Sequence, residues 1–188
     1  MPRDDRDARG DIGKCSRVLL LIDFINPLDF PGARALAPLA LQAANATARL
    51  RRKFDQEGVP TIYANDNFGR WRTDFRQQHA RLARLQTVSG EIARILKPRQ
   101  KDLTILKPRH SAFFASPLDV LLERIGAREV VLAGLATDIC VQLTAMDGFL
   151  RGYGLFVPAN CTAAETESAK AASLSYMASI LKCNVDVA

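Results

Sequence analysis

The segment Val18-Leu19-Leu20-Leu21-Ile22 is apolar at every position, so a strand there must be covered on both faces. That is the pattern of a central parallel strand. Shorter runs of the same kind predict strands over Pro60–Ala64, Leu103–Leu106, Glu129–Ala133 and Gly154–Pro158, with a last edge strand over Asn184–Val187. Between them the period changes. Leu36, Leu39, Ala43, Ala46, Leu50 and Phe54 recur at steps of three and four, which predicts an amphipathic helix over Ala33–Asp55, closed by Gly58. Helices are likewise expected near Phe75–Leu85, Gly90–Leu96, Leu118–Ile125, Asp138–Arg151 and Thr166–Leu181, while Asn65–Thr73 reads as a polar and aromatic loop. Strands alternating with helices in this way imply an α/β fold. The expected architecture is a three-layer α/β/α domain, with a mostly parallel open sheet of about six strands (Rossmann-like) and helices on both faces.

Nothing in the 188 residues marks a second domain: there is no linker, repeat or low-complexity tract. The expected organisation is a polar tail over 1–16, dense in Arg and Asp, followed by one domain over 17–188. No apolar run approaches the roughly 18 residues of a membrane span, and the first residues lack the apolar centre of a secretory signal. Four scattered cysteines, Cys15, Cys140, Cys161 and Cys183, fit free thiols in a reducing cytoplasm better than a disulfide scaffold. The net charge of +6 is spread over short groups such as Arg49–Lys53 and Arg70–Arg76, without interleaved aromatics or a recognition motif. Neither nucleic acid nor membrane is an expected partner.

In an open parallel sheet, ligands bind outside the carboxyl ends of the strands. Three reactive side chains are expected there: Asp23 after the first strand, Lys107 after Leu103–Leu106, and Cys140 one tight turn beyond Glu129–Ala133. With Thr137 as an N-cap, Cys140 falls in the first helical turn, where unpaired amides and the helix dipole favour a thiolate. The same position also suits a small buried apolar residue. Asp23 and Lys107 are natural partners, because a carboxylate after an apolar strand is costly to bury alone. Such a pair serves either structure or catalysis; a nearby nucleophile favours catalysis.

Four ordered segments give these residues a wider context. They are Leu20-Leu21-Ile22-Asp23-Phe24-Ile25-Asn26, Tyr63-Ala64-Asn65-Asp66-Asn67-Phe68-Gly69, Lys107-Pro108-Arg109-His110-Ser111-Ala112-Phe113 and Gly134-Leu135-Ala136-Thr137-Asp138-Ile139-Cys140-Val141. From Arg17 to Val185 the chain resembles the isochorismatase-like cysteine hydrolases. The resemblance implies a catalytic triad of Asp23, Lys107 and Cys140, a cis peptide between Leu135 and Ala136, and an oxyanion hole formed by the backbone N–H groups of Ala136 and Cys140. It implies hydrolysis of an amide or other C–N bond in a small molecule. Asp23 would deprotonate Cys140 and later activate water against a thioester. It also implies a homo-oligomer and no organic cofactor.

The resemblance has departures. Nicotinamidase-like members carry a metal site of one Asp and several His after the second strand, whereas this chain has only His79 and His110, so no metal is expected. Phe24, Asn67, Trp71 and Phe113 lie on loops expected to face the pocket and form a candidate cradle for a small planar substrate, with core packing the alternative for the two phenylalanines. Arg70, Arg72 and Arg109 are candidates for a substrate carboxylate. His110 either borders the site or serves a surface or capping role; His79 is expected to be solvated, and Asp138 and Asp147 read as helix-start charge and solvent face rather than as a second catalytic pair. Cys15, Cys161 and Cys183 are expected to be structural. Two other functions fit the same scaffold: vinyl-ether hydrolysis of an isochorismate-like substrate, which does not need the thiol, and a non-catalytic binding or assembly protein.

Overall fold

The apolar runs at Val18–Ile22 and Val130–Leu135 lie side by side at the centre of the sheet, and the remaining strands extend it outwards. The computed structural model describes residues 12–72 and 74–188. Strands β1 (Arg17–Ile22), β2 (Thr61–Asp66), β3 (Leu103–Lys107), β4 (Glu129–Leu135) and β5 (Gly154–Phe156) stand in the order β3-β2-β1-β4-β5. A two-residue β6 (Thr162–Ala163) also pairs with β4, and every pairing is parallel. The helices are α1 (Ala33–Gln56), α2 (Phe75–Ala83), α3 (Val88–Ile95), α4 (Leu118–Ile125), α5 (Gln142–Leu150) and α6 (Glu167–Ser179).

Side-chain alternation divides the core into two. Leu19 and Leu21 of β1, with Val131, Ala133 and Leu135 of β4, pack beneath α1, α2 and α3. Val18, Leu20 and Ile22, with Val130 and Leu132, pack beneath α4, α5 and α6. Both faces of β1 and β4 are therefore dry, which explains their unbroken apolar sequences. The chain leaves β1 toward one face through α1 and leaves β4 toward the other through α5. This divergence opens a crevice above the carboxyl ends of the two neighbouring strands.

Two segments depart from the sequence reading. Asn184–Val187 is not a strand: a single bridge joins Asn184 to Phe156, and the sixth strand is Thr162–Ala163. The alternating Val185 and Val187 mimic an edge strand, but Val187 is exposed and the ladder ends after one pair. The expected polar tail is only partly described, residues 1–11 lying outside the described set. From 12 onward the chain is attached: Cys15 N–H donates to Ile125 O (2.9 Å), and Ile12 and Cys15 pack on the α4 side of the core. No helix among the described residues is long and apolar enough to cross a membrane.

Close approach of β1 and β4 depends on Gly134. Its φ is +152°, and a Cβ there would sit 2.2 Å from the Ile22 carbonyl oxygen. Gly134→Ala should therefore destabilise the fold by about 2–3 kcal/mol through overpacking, read in thermal unfolding as a fall in Tm of roughly 5–10 °C. An unchanged Tm would show that the two strands can separate freely at this point.

Candidate active site

Three strand ends build the site. β1 ends at Ile22, and Asp23 turns the chain in a left-handed conformation (φ 52°), its N–H donating to Ala64 O (3.1 Å). Such a φ is uncommon outside glycine, though aspartate tolerates it better than most residues. Asn65 holds this turn to β2: its Oδ1 accepts from Ile25 N–H (3.2 Å) and its Nδ2 donates to Ile25 O (2.8 Å). Lys107 is the last residue of β3 rather than the residue after it, and its side chain is fully buried.

Lys107 Nζ is 2.7 Å from Asp23 Oδ2 and 3.9 Å from Asp66 Oδ2, and it donates to Arg109 O (3.1 Å) and to Cys140 Sγ (3.7 Å). Asp23 Oδ1 accepts from Asp66 N–H (2.7 Å). The structure thus brings Asp23, Lys107 and Cys140 into one cluster, and adds Asp66, which the sequence reading passed over. Its position at the end of β2 was the available signal.

Cys140 sits in a wide turn between β4 and α5. Residues Thr137–Val141 form a π-helical turn, marked by Val141 N–H donating to Ala136 O (3.2 Å). The expected N-cap at Thr137 does not form. Ala136 occupies the cap position, and the buried Thr137 hydroxyl has no hydrogen-bond partner among the described residues. A single turn of different width moves the cap by one residue, which sequence spacing cannot register. The Leu135–Ala136 peptide is cis.

The expected low thiol pKa is also corrected. Burial, reinforced by the Asp23 charge, pushes Cys140 up to about 12 despite the opposing effect of Lys107. Burial raises Asp23 as well, only partly offset by Lys107. For Lys107, burial alone would lower the pKa, but its acidic neighbours, Asp23 foremost, outweigh it and keep the ammonium charged. The thiol therefore rests neutral beside the Lys107 ammonium.

His110 belongs to this site. Its Nδ1 lies 3.7 Å from Cys140 Sγ, while the residue as a whole is exposed. The flanking chain is anchored to α5: Ser111 Oγ donates to Asp147, and Ala112 N–H donates to Thr144 Oγ1 (3.0 Å), which itself donates to Cys140 O (2.6 Å). Asp147 is thus an anchor, not a solvated charge. His79, expected to be solvated, bonds Ala93 O (2.8 Å) and joins α2 to α3.

The four expected substrate contacts divide. Phe24 (1% exposed) packs in the α1-side core, and Phe113 (4% exposed) packs in the other, stacked on Tyr153, which is the core-packing alternative for both rings. Asn67 and Trp71 line a cavity of about 700 Å³, together with Asp66, Phe68, Arg109 and Phe114. This cavity reaches the cluster through Asp66. A second cavity, of about 580 Å³, surrounds Thr61 and Leu103 at the opposite, amino ends of β2 and β3. The residues at the end of β2 do not fit a metal site: Asn65 is engaged by Ile25, Asn67 accepts from Gly69 N–H (2.9 Å), and among the described residues no group of three or more His, Cys, Asp or Glu is arranged to hold a metal ion. Cys161 and Cys183 are buried, with thiols pushed up by burial.

An isochorismatase domain model matches residues 17–187. The chain belongs to the isochorismatase family. It is an isochorismatase-family hydrolase, similar over 90% of its length to the uncharacterized isochorismatase family protein YaaI of Bacillus subtilis, with 30% identity and 93% of that protein covered. A shorter match, 45% identical over 31% of the chain, is to the ureidoacrylate amidohydrolase RutB of Klebsiella pneumoniae and spans 25% of that protein. Among solved structures, the N-carbamoylsarcosine amidase of Thermoplasma acidophilum shares the fold with a TM-score of 0.71 at 23% identity, covering 92% of this chain and 96% of that one.

The charges around Cys140 predict opposite effects on its two chemistries. Asp23→Asn removes a charge that raises the thiol pKa and leaves Lys107 facing the sulfur. The pH midpoint for alkylation of Cys140 by iodoacetamide should fall below about 12, while any turnover that needs the carboxylate is lost. Mass spectrometry of the labelled protein across pH reads the first effect. A midpoint that rises would show that Asp23 is not the dominant charge on the thiol.

Proposed function

We propose that this isochorismatase-family hydrolase cleaves a C–N bond of a small amide, urea or carbamoyl compound through a thioester on Cys140. One observation carries the reading: the Cys140 sulfur lies 3.7 Å from a buried Lys107 ammonium that is itself paired with Asp23 at 2.7 Å. The similarity to a ureidoacrylate amidohydrolase and an N-carbamoylsarcosine amidase supports the C–N class.

The steps follow from the electrostatics. A thiol held near pKa 12 is a poor nucleophile until its proton has somewhere to go. Asp23, raised by burial, is a stronger base than an exposed carboxylate. As the proton moves to Asp23, the sulfur attacks the substrate carbonyl carbon and negative charge passes to the carbonyl oxygen. The backbone N–H groups of Ala136 and Cys140 serve as its oxyanion hole, each good donor contributing roughly 3–4 kcal/mol. Lys107 keeps the cluster from accumulating net negative charge. The C–N bond then breaks, the amine leaves protonated, and water hydrolyses the thioester to regenerate the thiol.

Two predictions test the reading. In a panel of amides, ureas, carbamoyl compounds and isochorismate, Cys140→Ala should lower turnover of the cleaved C–N substrate by at least about a thousandfold. Turnover retained in Cys140→Ala, especially on isochorismate, would replace this reading with thiol-independent vinyl-ether hydrolysis. The second concerns pH. The base must be ionised, and its pKa is raised, so kcat/KM should fall with decreasing pH on a limb lying above the ordinary aspartate value of about 3.9. An acid limb at or below that value would exclude Asp23 as the base.

A further inference from the structure

We infer that His110 is a catalytic residue, the proton shuttle between the leaving amine and the hydrolytic water; the inference rests on the thioester reading above. His110 Nδ1 is 3.7 Å from the Cys140 sulfur, within reach of any atom bonded to a carbonyl carbon attached there. His110 is exposed, whereas Asp23 and Lys107 are buried. Of these three groups, His110 is the one in contact with solvent.

Asp23 is poorly placed for those later steps. It is 4% exposed, one carboxylate oxygen accepts from Asp66 N–H and the other is paired with Lys107. Its accessible task is to hold the thiol proton. The chain that carries His110 is instead held on both sides: Arg109 O accepts from Lys107 Nζ, Ser111 Oγ donates to Asp147, and Ala112 N–H donates to Thr144 Oγ1. These anchors, at residues 109, 111 and 112, fix the backbone from which the imidazole reaches the sulfur.

The proton balance closes with two carriers. Asp23 takes the Cys140 proton as the S–C bond forms. Protonated His110 gives its proton to the nitrogen as the C–N bond breaks, leaving neutral imidazole and the thioester. The imidazole then removes a proton from water as the new C–O bond forms. When the C–S bond breaks, Asp23 returns its stored proton to the sulfur and His110 is again protonated. This gives His110 the water step that the family resemblance assigned to Asp23.

4-Nitrophenyl acetate separates the roles, because nitrophenolate leaves without being protonated. With full-length His110→Gln the nitrophenolate burst should stay within about threefold of wild type, while steady-state turnover falls about a hundredfold. Acetylated Cys140 should accumulate in the intact mass spectrum. Hydroxylamine, a nucleophile that needs no such base, should restore turnover. Acetamide hydrolysis should also fall about a hundredfold, since its nitrogen must be protonated. A burst slowed as much as the steady state would mean that His110 only positions the thiol, and an unchanged steady state would mean that it moves no proton; either overturns the shuttle. A wild-type burst that survives in Cys140→Ala would instead overturn the thioester reading, and the shuttle with it.

Discussion

A lysine ammonium with no solvent exposure is the constraint around which this site is organised. At 2.7 Å and an effective dielectric of about 20, its attraction to Asp23 is on the order of 6 kcal/mol. Burying each ion costs several kcal/mol, so the pair alone roughly breaks even. Further hydrogen bonds to Arg109 O and from Asp66 N–H tip the balance. Removing either charge would strand the other. The ends of β1, β2 and β3 are consequently tied together by one electrostatic knot, and the thiol from β4 lies against it.

That knot depends on backbone features that carry no charge. Gly134 lets β4 approach β1, Asn65 clamps the Asp23 turn, and Thr144 of α5 ties Ala112 to the turn that bears Cys140. Each is a buried polar or steric device at a strand end, where α1 and α5 diverge to opposite faces. The open crevice is a product of topology. Its contents are a product of these local anchors.

Much of this was legible in the sequence because dry strands and amphipathic helices have distinct periods. Val18–Ile22 and Glu129–Ala133 declared central strands, and the residues that follow them declared strand-end chemistry. The four ordered segments placed Asp23, Lys107 and Cys140 correctly in the chain. What failed was direction. Phe24 and Phe113 read equally as pocket aromatics or as core residues because they flank reactive residues, and the structure packs both rings in the cores. Thr137 read as a cap because the π turn that shifts the register leaves no compositional mark. His110 was indistinct because its place beside the sulfur depends on anchors at residues 111 and 112 whose partners lie 30 residues or more away. The thiol pKa was misjudged for a related reason: helix-start amides are visible in sequence, but burial and a neighbouring carboxylate are not.

A thiol pushed up rather than down changes how such a site controls its reactivity. A pre-formed thiolate would react with any electrophile or oxidant that reached it. On the proposed mechanism, ionisation requires Asp23 to accept the proton, and the negative charge that appears on sulfur replaces the one lost from the carboxylate. The cluster keeps the same net charge throughout, with Lys107 compensating wherever that charge resides. The transfer becomes favourable when a carbonyl group is close enough to draw the charge onward to its oxygen. On the proposed reading, substrate positioning and nucleophile activation are one event, and the high resting pKa is what couples them.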